Sequence, residues 1–177
     1  MAERLFFALW PGVAQRLALA GVQRDLGALA PRPAGHPARW THPEDIHLTL
    51  VFLGSASPDQ RRCAEAAAGR VRATAFALSM DRVGSFPRAR VLWCGTAVAL
   101  VPLVELVESL RRELGSCGFT LDQRPYAPHA TLARNARPLA TRLLDQPIPW
   151  PVEDFVLAAG QEGPPPRYRI LGRWPLG

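Results

Sequence analysis

The chain contains no lysine; all 21 basic residues among its 177 positions are arginine. That excludes a lysine nucleophile for Schiff-base or nucleotidyl-transfer chemistry, and it removes the lysine of a phosphate-binding P-loop. Cysteine is scarce as well. Cys63, Cys94 and Cys117 are odd in number and far apart. They offer neither a zinc-type pair nor a disulfide framework, so the expectation is three buried, reduced thiols. No apolar run approaches the roughly 18 residues of a membrane-spanning helix. The opening block Leu5-Phe6-Phe7-Ala8-Leu9-Trp10 is short and has no small-residue cleavage site, so it reads as a strand and not as a secretion signal. These absences describe a cytoplasmic protein that does not engage a membrane.

What is present points to one packed domain. Hydrophobic residues make up 48% of the chain, which argues against disorder. Its length suits a single domain, residues 1–177, with a substantial core. The formal net charge of +6 favours a phosphate-rich partner.

The pattern along the chain mixes strands and helices. Residues 4–10 read as a strand and 12–29 as a helix entered through Pro11. Residues 30–43 hold four prolines and a glycine and read as a loop containing His36 and His42. A strand follows at 46–53. Ser57, Pro58 and Gln60 form a helix start with a capping box, and that helix runs to about 72. Residues 75–83 and 89–95 read as strands, 99–116 as an amphipathic helix, and 129–134, 152–158 and 168–173 as three more strands. Proline-rich breaks at 147–151 and 164–166 separate the last ones. The order strand, helix, loop, histidine-bearing strand occurs twice, once from Leu5 to His47 and once from Val91 to His129. That echo implies two similar lobes.

The histidines carry the chemical signal. His47-Leu48-Thr49-Leu50 and His129-Ala130-Thr131-Leu132 share one pattern: histidine, apolar, threonine, apolar. On a strand, alternate side chains share a face, so each imidazole lies beside a hydroxyl while the apolar pair faces the core. Threonine occupies seven of 177 positions. Two such pairs among four histidines arise by chance on the order of once in a hundred. Opening a cyclic phosphate requires one proton taken from water and one given to the leaving oxygen. Two imidazoles with pKa values near 6.5 suit both tasks, and the hydroxyls of Thr49 and Thr131 suit the non-bridging phosphate oxygens. This chemistry calls for no metal and no cofactor. His36, His42, His47 and His129 also lack the spacing of a zinc hydrolase.

With these motifs in place, the sequence resembles the 2H phosphoesterases, and among them the bacterial and archaeal RNA 2′,3′-cyclic phosphodiesterases, also called 2′-5′ RNA ligases. The likeness runs from Arg4–Leu9 through Ile46–Gly54, Phe86-Pro87, Arg90–Trp93 and Arg124–Arg134 to Tyr168–Trp174. It implies an α+β fold of two similar lobes, each an antiparallel sheet with helices packed outside, facing across a central cleft. It implies hydrolysis of RNA 2′,3′-cyclic phosphate ends to 2′-phosphomonoesters, with His47 as acid and His129 as base, and a reverse 2′-5′ ligation without ATP. It also implies that Arg134 contacts the phosphate or nucleotide, although an offset of five from His129 places it on the wrong face of a straight strand. Phe7 is a candidate for stacking on a base, and Tyr126 and Tyr168 are candidate cleft contacts. Arg88, Arg90, Arg124 and Arg137 are candidates for the positive field. The expected partner is RNA with a 2′,3′-cyclic phosphate end, met by a monomer. Alternative substrates are small cyclic nucleotides or ADP-ribose cyclic phosphate, and a non-catalytic RNA-binding module would use the same scaffold.

Overall fold

A computed structural model describes residues 3–29, 38–97 and 100–177. The alternating segments form nine strands: β1 (Glu3–Leu9), β2 (Arg39–Trp40), β3 (Leu48–Ala56), β4 (Phe76–Phe86), β5 (Val91–Gly95), β6 (His129–Arg134), β7 (Arg142–Val152), β8 (Asp154–Gly160) and β9 (Tyr168–Pro175). Three helices accompany them: α1 (Val13–Leu29), α2 (Pro58–Arg70) and α3 (Val101–Glu113). All strand pairs are antiparallel, in the order β7-β4-β5-β6-β3-β1-β8-β9, with β2 on the free part of β6. β3 and β6 meet at a single registered pair, Leu48 opposite Ala130. The sheet is therefore two four-stranded halves joined at a narrow seam.

Local chemistry explains the helices. Ser57 accepts from the Gln60 N–H while the Gln60 side chain accepts from the Ser57 N–H, which closes the expected capping box on α2. In α3, Leu103, Leu106, Val107 and Leu110 are buried on one stripe. A short 3-10 turn then ends the helix at Leu114–Ser116. The helices also cross the seam. α1 follows β1 in the chain but contacts β6 and β7, and α3 follows β5 but contacts β3. Buried Gln23 on α1 donates to the carbonyls of Thr41 and Leu132 at 2.8 and 2.9 Å. Each half thus supports a helix from the other.

Three expectations need correction. Cys63 and Cys117 form a disulfide, with Cα atoms 5.6 Å apart across 54 residues. The end of α3 packs beside α2, a proximity that sequence spacing does not reveal. Only Cys94 is a buried free thiol, its pKa pushed up to about 12 by burial. Second, the supposed break at 147–151 lies inside β7. Ile148, Trp150 and Val152 are buried there while Pro147, Pro149 and Pro151 are exposed. The Pro149 carbonyl accepts from Gln15 Nε2 at 2.9 Å, on the side away from β4. The prolines thus occupy positions that owe no N–H to the sheet, as an edge strand permits. Third, Arg39–Trp40 is a short strand within the expected loop. The part of that loop at 30–37, with His36, lies outside the described residues.

Candidate active site

The strand pattern brings the two histidine motifs to the walls of one cavity of about 690 Å³. His47 stands just before β3, held by the 3-10 turn Pro43–Asp45, and His129 opens β6. Thr49, Thr131, Arg134 and Tyr168 line the same cavity. Leu48, Leu50, Ala130 and Leu132 turn into the core, as alternation requires.

Both rings are fixed the same way. His47 Nδ1 lies 2.7 Å from the Asp45 carbonyl, and His129 Nδ1 lies 2.7 Å from the Ala127 carbonyl. A carbonyl only accepts, so each Nδ1 carries the hydrogen and each Nε2 is left free to exchange a proton. Asp45 also braces the site through its side chain. Its buried carboxylate accepts from the Arg167 N–H at 2.8 and 3.0 Å, tying the turn to the residue before Tyr168.

Burial differs between the two imidazoles. His47 stacks on Phe6 at 4.7 Å and on Trp10 at 5.2 Å, with Tyr168 edge-on at 5.1 Å. Desolvation pushes its pKa down from 6.5 to about 4. The hydrogen bond to the Asp45 carbonyl opposes this shift, and the Arg134 and His129 charges add to it. His129 meets Phe86 edge-on at 4.9 Å. Its pKa is also lowered, first by burial and then by Arg134, against the hydrogen bond to the Ala127 carbonyl. Both shifts favour the neutral imidazole in the free protein.

A bulge resolves the parity of Arg134. β6 pairs Thr131 with Trp93 but Ala133 with Leu92, so Leu132 is the extra residue. Leu132 and Ala133 are both buried, and Arg134 emerges exposed on the cavity side. The first motif repeats the device. β3 pairs Thr49 with Ala8 but Val51 with Phe7, so Leu50 is the extra residue. Phe52, also five residues after its histidine, emerges 46% exposed and lines the cavity. The Arg4 guanidinium lies 5.4 Å from its ring centroid. Sequence reasoning passed over Phe52. The signal was its position matching that of Arg134.

Two aromatic expectations change. Phe7 is fully buried against Phe155 and Trp174 on the core face of β1, so it has no surface for a base. Its neighbour Phe6 faces the site and supports His47. Tyr126 is largely enclosed, and its hydroxyl donates to the Thr49 carbonyl at 2.9 Å. Burial raises its pKa, so it acts as a neutral clasp across the seam and borders only the neighbouring part of the cleft. His42 accepts from the Glu44 N–H, capping the 3-10 turn, and is exposed. Among the described residues no three His, Cys, Asp or Glu side chains gather where they could hold a metal ion.

Known proteins share this architecture. The family model of the 2′-5′ RNA ligase superfamily matches residues 22–164. The chain is 34% identical over 154 residues to the RNA 2′,3′-cyclic phosphodiesterase of Escherichia coli K12, covering 82% of each protein. It is 32% identical over 149 residues to the protein of that name from Geobacillus stearothermophilus, covering 77% of this chain and 47% of that one. The crystal structure of E. coli LigT complexed with 3′-AMP matches with a TM-score of 0.88, at 30% identity over 99% of both chains. Among the described residues no helix is long and apolar enough to cross a membrane.

Proposed function

Because the chain belongs to the 2′-5′ RNA ligase superfamily, we propose that it is an RNA 2′,3′-cyclic phosphodiesterase, a single bilobal domain that hydrolyses cyclic ends to 2′-phosphomonoesters. The observation that carries this reading is the matched pair of imidazoles on one cavity, each with Nδ1 engaged and Nε2 free.

In this reading His129 Nε2 takes a proton from water as its oxygen attacks phosphorus. The bond from phosphorus to O3′ breaks, and His47 Nε2 protonates the leaving O3′. The 2′-phosphate remains. Thr49, Thr131 and Arg134 bind the non-bridging oxygens, where charge accumulates. An anionic substrate raises the pKa of a neighbouring imidazole, so the acid gains its proton with the phosphate bound. Phe52 offers its exposed ring to the terminal base, and Tyr168 closes the wall behind His47. With a 5′-hydroxyl in place of water, the same steps form the new P–O5′ bond as P–O3′ breaks and O3′ is protonated, a 2′-5′ ligation that needs no nucleotide triphosphate.

The protein works as a cytoplasmic monomer in this account. Cytoplasm keeps most thiols reduced and the Cys63–Cys117 disulfide runs against that location, so thiol labelling at cell lysis tests it: labelled Cys63 and Cys117 fit the cytoplasm, and an unlabelled pair argues for an oxidising compartment. The functional test is product analysis. Protein in excess EDTA, incubated with an oligonucleotide carrying a 2′,3′-cyclic phosphate, is expected to yield a 2′-monophosphate end. A 3′-monophosphate end, or no opening, would reject the assignment. Comparable rates on ADP-ribose cyclic phosphate would move the substrate away from RNA.

A further inference from the structure

Beside the chamber that holds both histidines lies a second one of about 560 Å³. The two share Thr49, Phe52, His129, Thr131 and Arg134 as walls, so they form one continuous trough. Its far end is the turn between β4 and β5, with Arg88, and the side of α3 with Arg111.

The two chambers differ in charge. The first is lined by two arginines, Arg124 and Arg134, and by two acids, Asp45 and Asp122. The second is lined by four arginines, Arg88, Arg111, Arg124 and Arg134, and by Asp122 alone among acids. Arg124 is engaged by Asp122 at 2.5 Å, and Arg111 by Glu108 at 2.8 Å. Arg88 is exposed and has no ion-pair partner among the described residues. The charged side chains lining the first chamber sum to zero, whereas those lining the second sum to +3. The second has a surplus that a single phosphate at the histidines does not use, and a free guanidinium at its mouth matches an anionic oxygen.

We propose that this second chamber receives the phosphodiester on the 5′ side of the terminal nucleotide, with Arg88 as its principal contact. The inference rests on the cyclic phosphodiesterase reading and deepens it: the preferred substrate is a chain of at least two nucleotides. The exposed ring of Phe52 lies on the wall between the chambers, where the terminal nucleoside joins the next phosphate.

Three substrates test it: a nucleoside 2′,3′-cyclic phosphate, a dinucleotide ending in the same cyclic group, and that dinucleotide with a neutral methylphosphonate linkage. The expected kcat/KM for the charged dinucleotide is about tenfold above the mononucleotide, with the neutral one returning near the mononucleotide value. The dinucleotide advantage should shrink by about 0.7 log unit per tenfold rise in salt for one single-strand phosphate contact. Arg88→Ala should lower the dinucleotide-to-mononucleotide ratio to near one. Equal rates on charged and neutral dinucleotides would overturn the subsite and leave the phosphodiesterase reading intact. So would a ratio unchanged by Arg88→Ala. Failure to open any of the three would overturn both.

Discussion

The two motif strands use one backbone design with different side chains. In each, a histidine bonds a carbonyl two residues back, a threonine follows it into the cavity, and a bulge turns out the residue at offset five. There the likeness stops. The first motif ends in Phe52 and encloses its histidine between Phe6, Trp10 and Tyr168. The second ends in Arg134 and, among the described residues, sets its histidine against the ring of Phe86 alone. One repeated scaffold thus presents an aromatic ring from one arm and a guanidinium from the other.

The largest expected effect comes from breaking the shared element. His47→Ala and His129→Ala should each reduce turnover by about 10²–10⁴, the range for a general acid or base. Full activity in either variant, with the fold intact by circular dichroism, would remove that arm from the chemistry. Next come the residues at offset five. Arg134→Ala should lower kcat by about 10², as loss of a charge-stabilising donor does. Phe52→Ala should raise KM by about tenfold with kcat nearly unchanged, the pattern for lost ground-state binding. If both variants affected the same parameter, the two arms would not be specialised.

The pH profile sharpens the contrast in burial. A bell-shaped profile of kcat/KM reports the free protein, and both imidazole pKa values are lowered there. The maximum should therefore fall below pH 6.5, with the acidic limb near 4, where His47 takes up its proton. Trp10→Ala admits water to His47. Its pKa then rises, and the acidic limb moves upward toward 6.5. A limb that stays near 4 would show that burial under Trp10 does not set it. The smallest effect is expected at the brace. Asp45→Asn keeps an acceptor for the Arg167 N–H and should retain most activity, whereas Asp45→Ala should lose severalfold in kcat as the turn loosens. Equal loss in both would assign the effect to the carboxylate charge instead.

Much of the geometry of the candidate site is legible because its signal is local. Histidine and threonine two apart share a face on any strand, so their common orientation follows from spacing alone. The capping box at Ser57 is local too. What escaped reading depends on pairing partners. The bulges at Leu50 and Leu132 shift parity by one, and only the neighbouring strands reveal them. That is why Arg134 looked misplaced and Phe52 looked unremarkable. Phe6 and Phe7 are chemically identical neighbours, and the strand pairing of β1 decides which meets the core. The prolines of β7 masked a clean alternation of Ile148, Trp150 and Val152, because a proline matters only where the sheet needs its N–H. The Cys63–Cys117 bridge depends on helix proximity across 54 residues. A loop of that length implies a chain-entropy stabilisation of about 4 kcal/mol.

The central claim is that two imidazoles act together on one phosphorus atom, and a double-variant cycle tests it most directly. Single-turnover rates of cyclic-end opening should be measured for the wild type, His47→Ala, His129→Ala and the double variant. Groups acting as a unit are strongly non-additive, so the double variant should lie within about tenfold of the slower single one. A double variant slowed by the full product of the two single losses would contradict joint action.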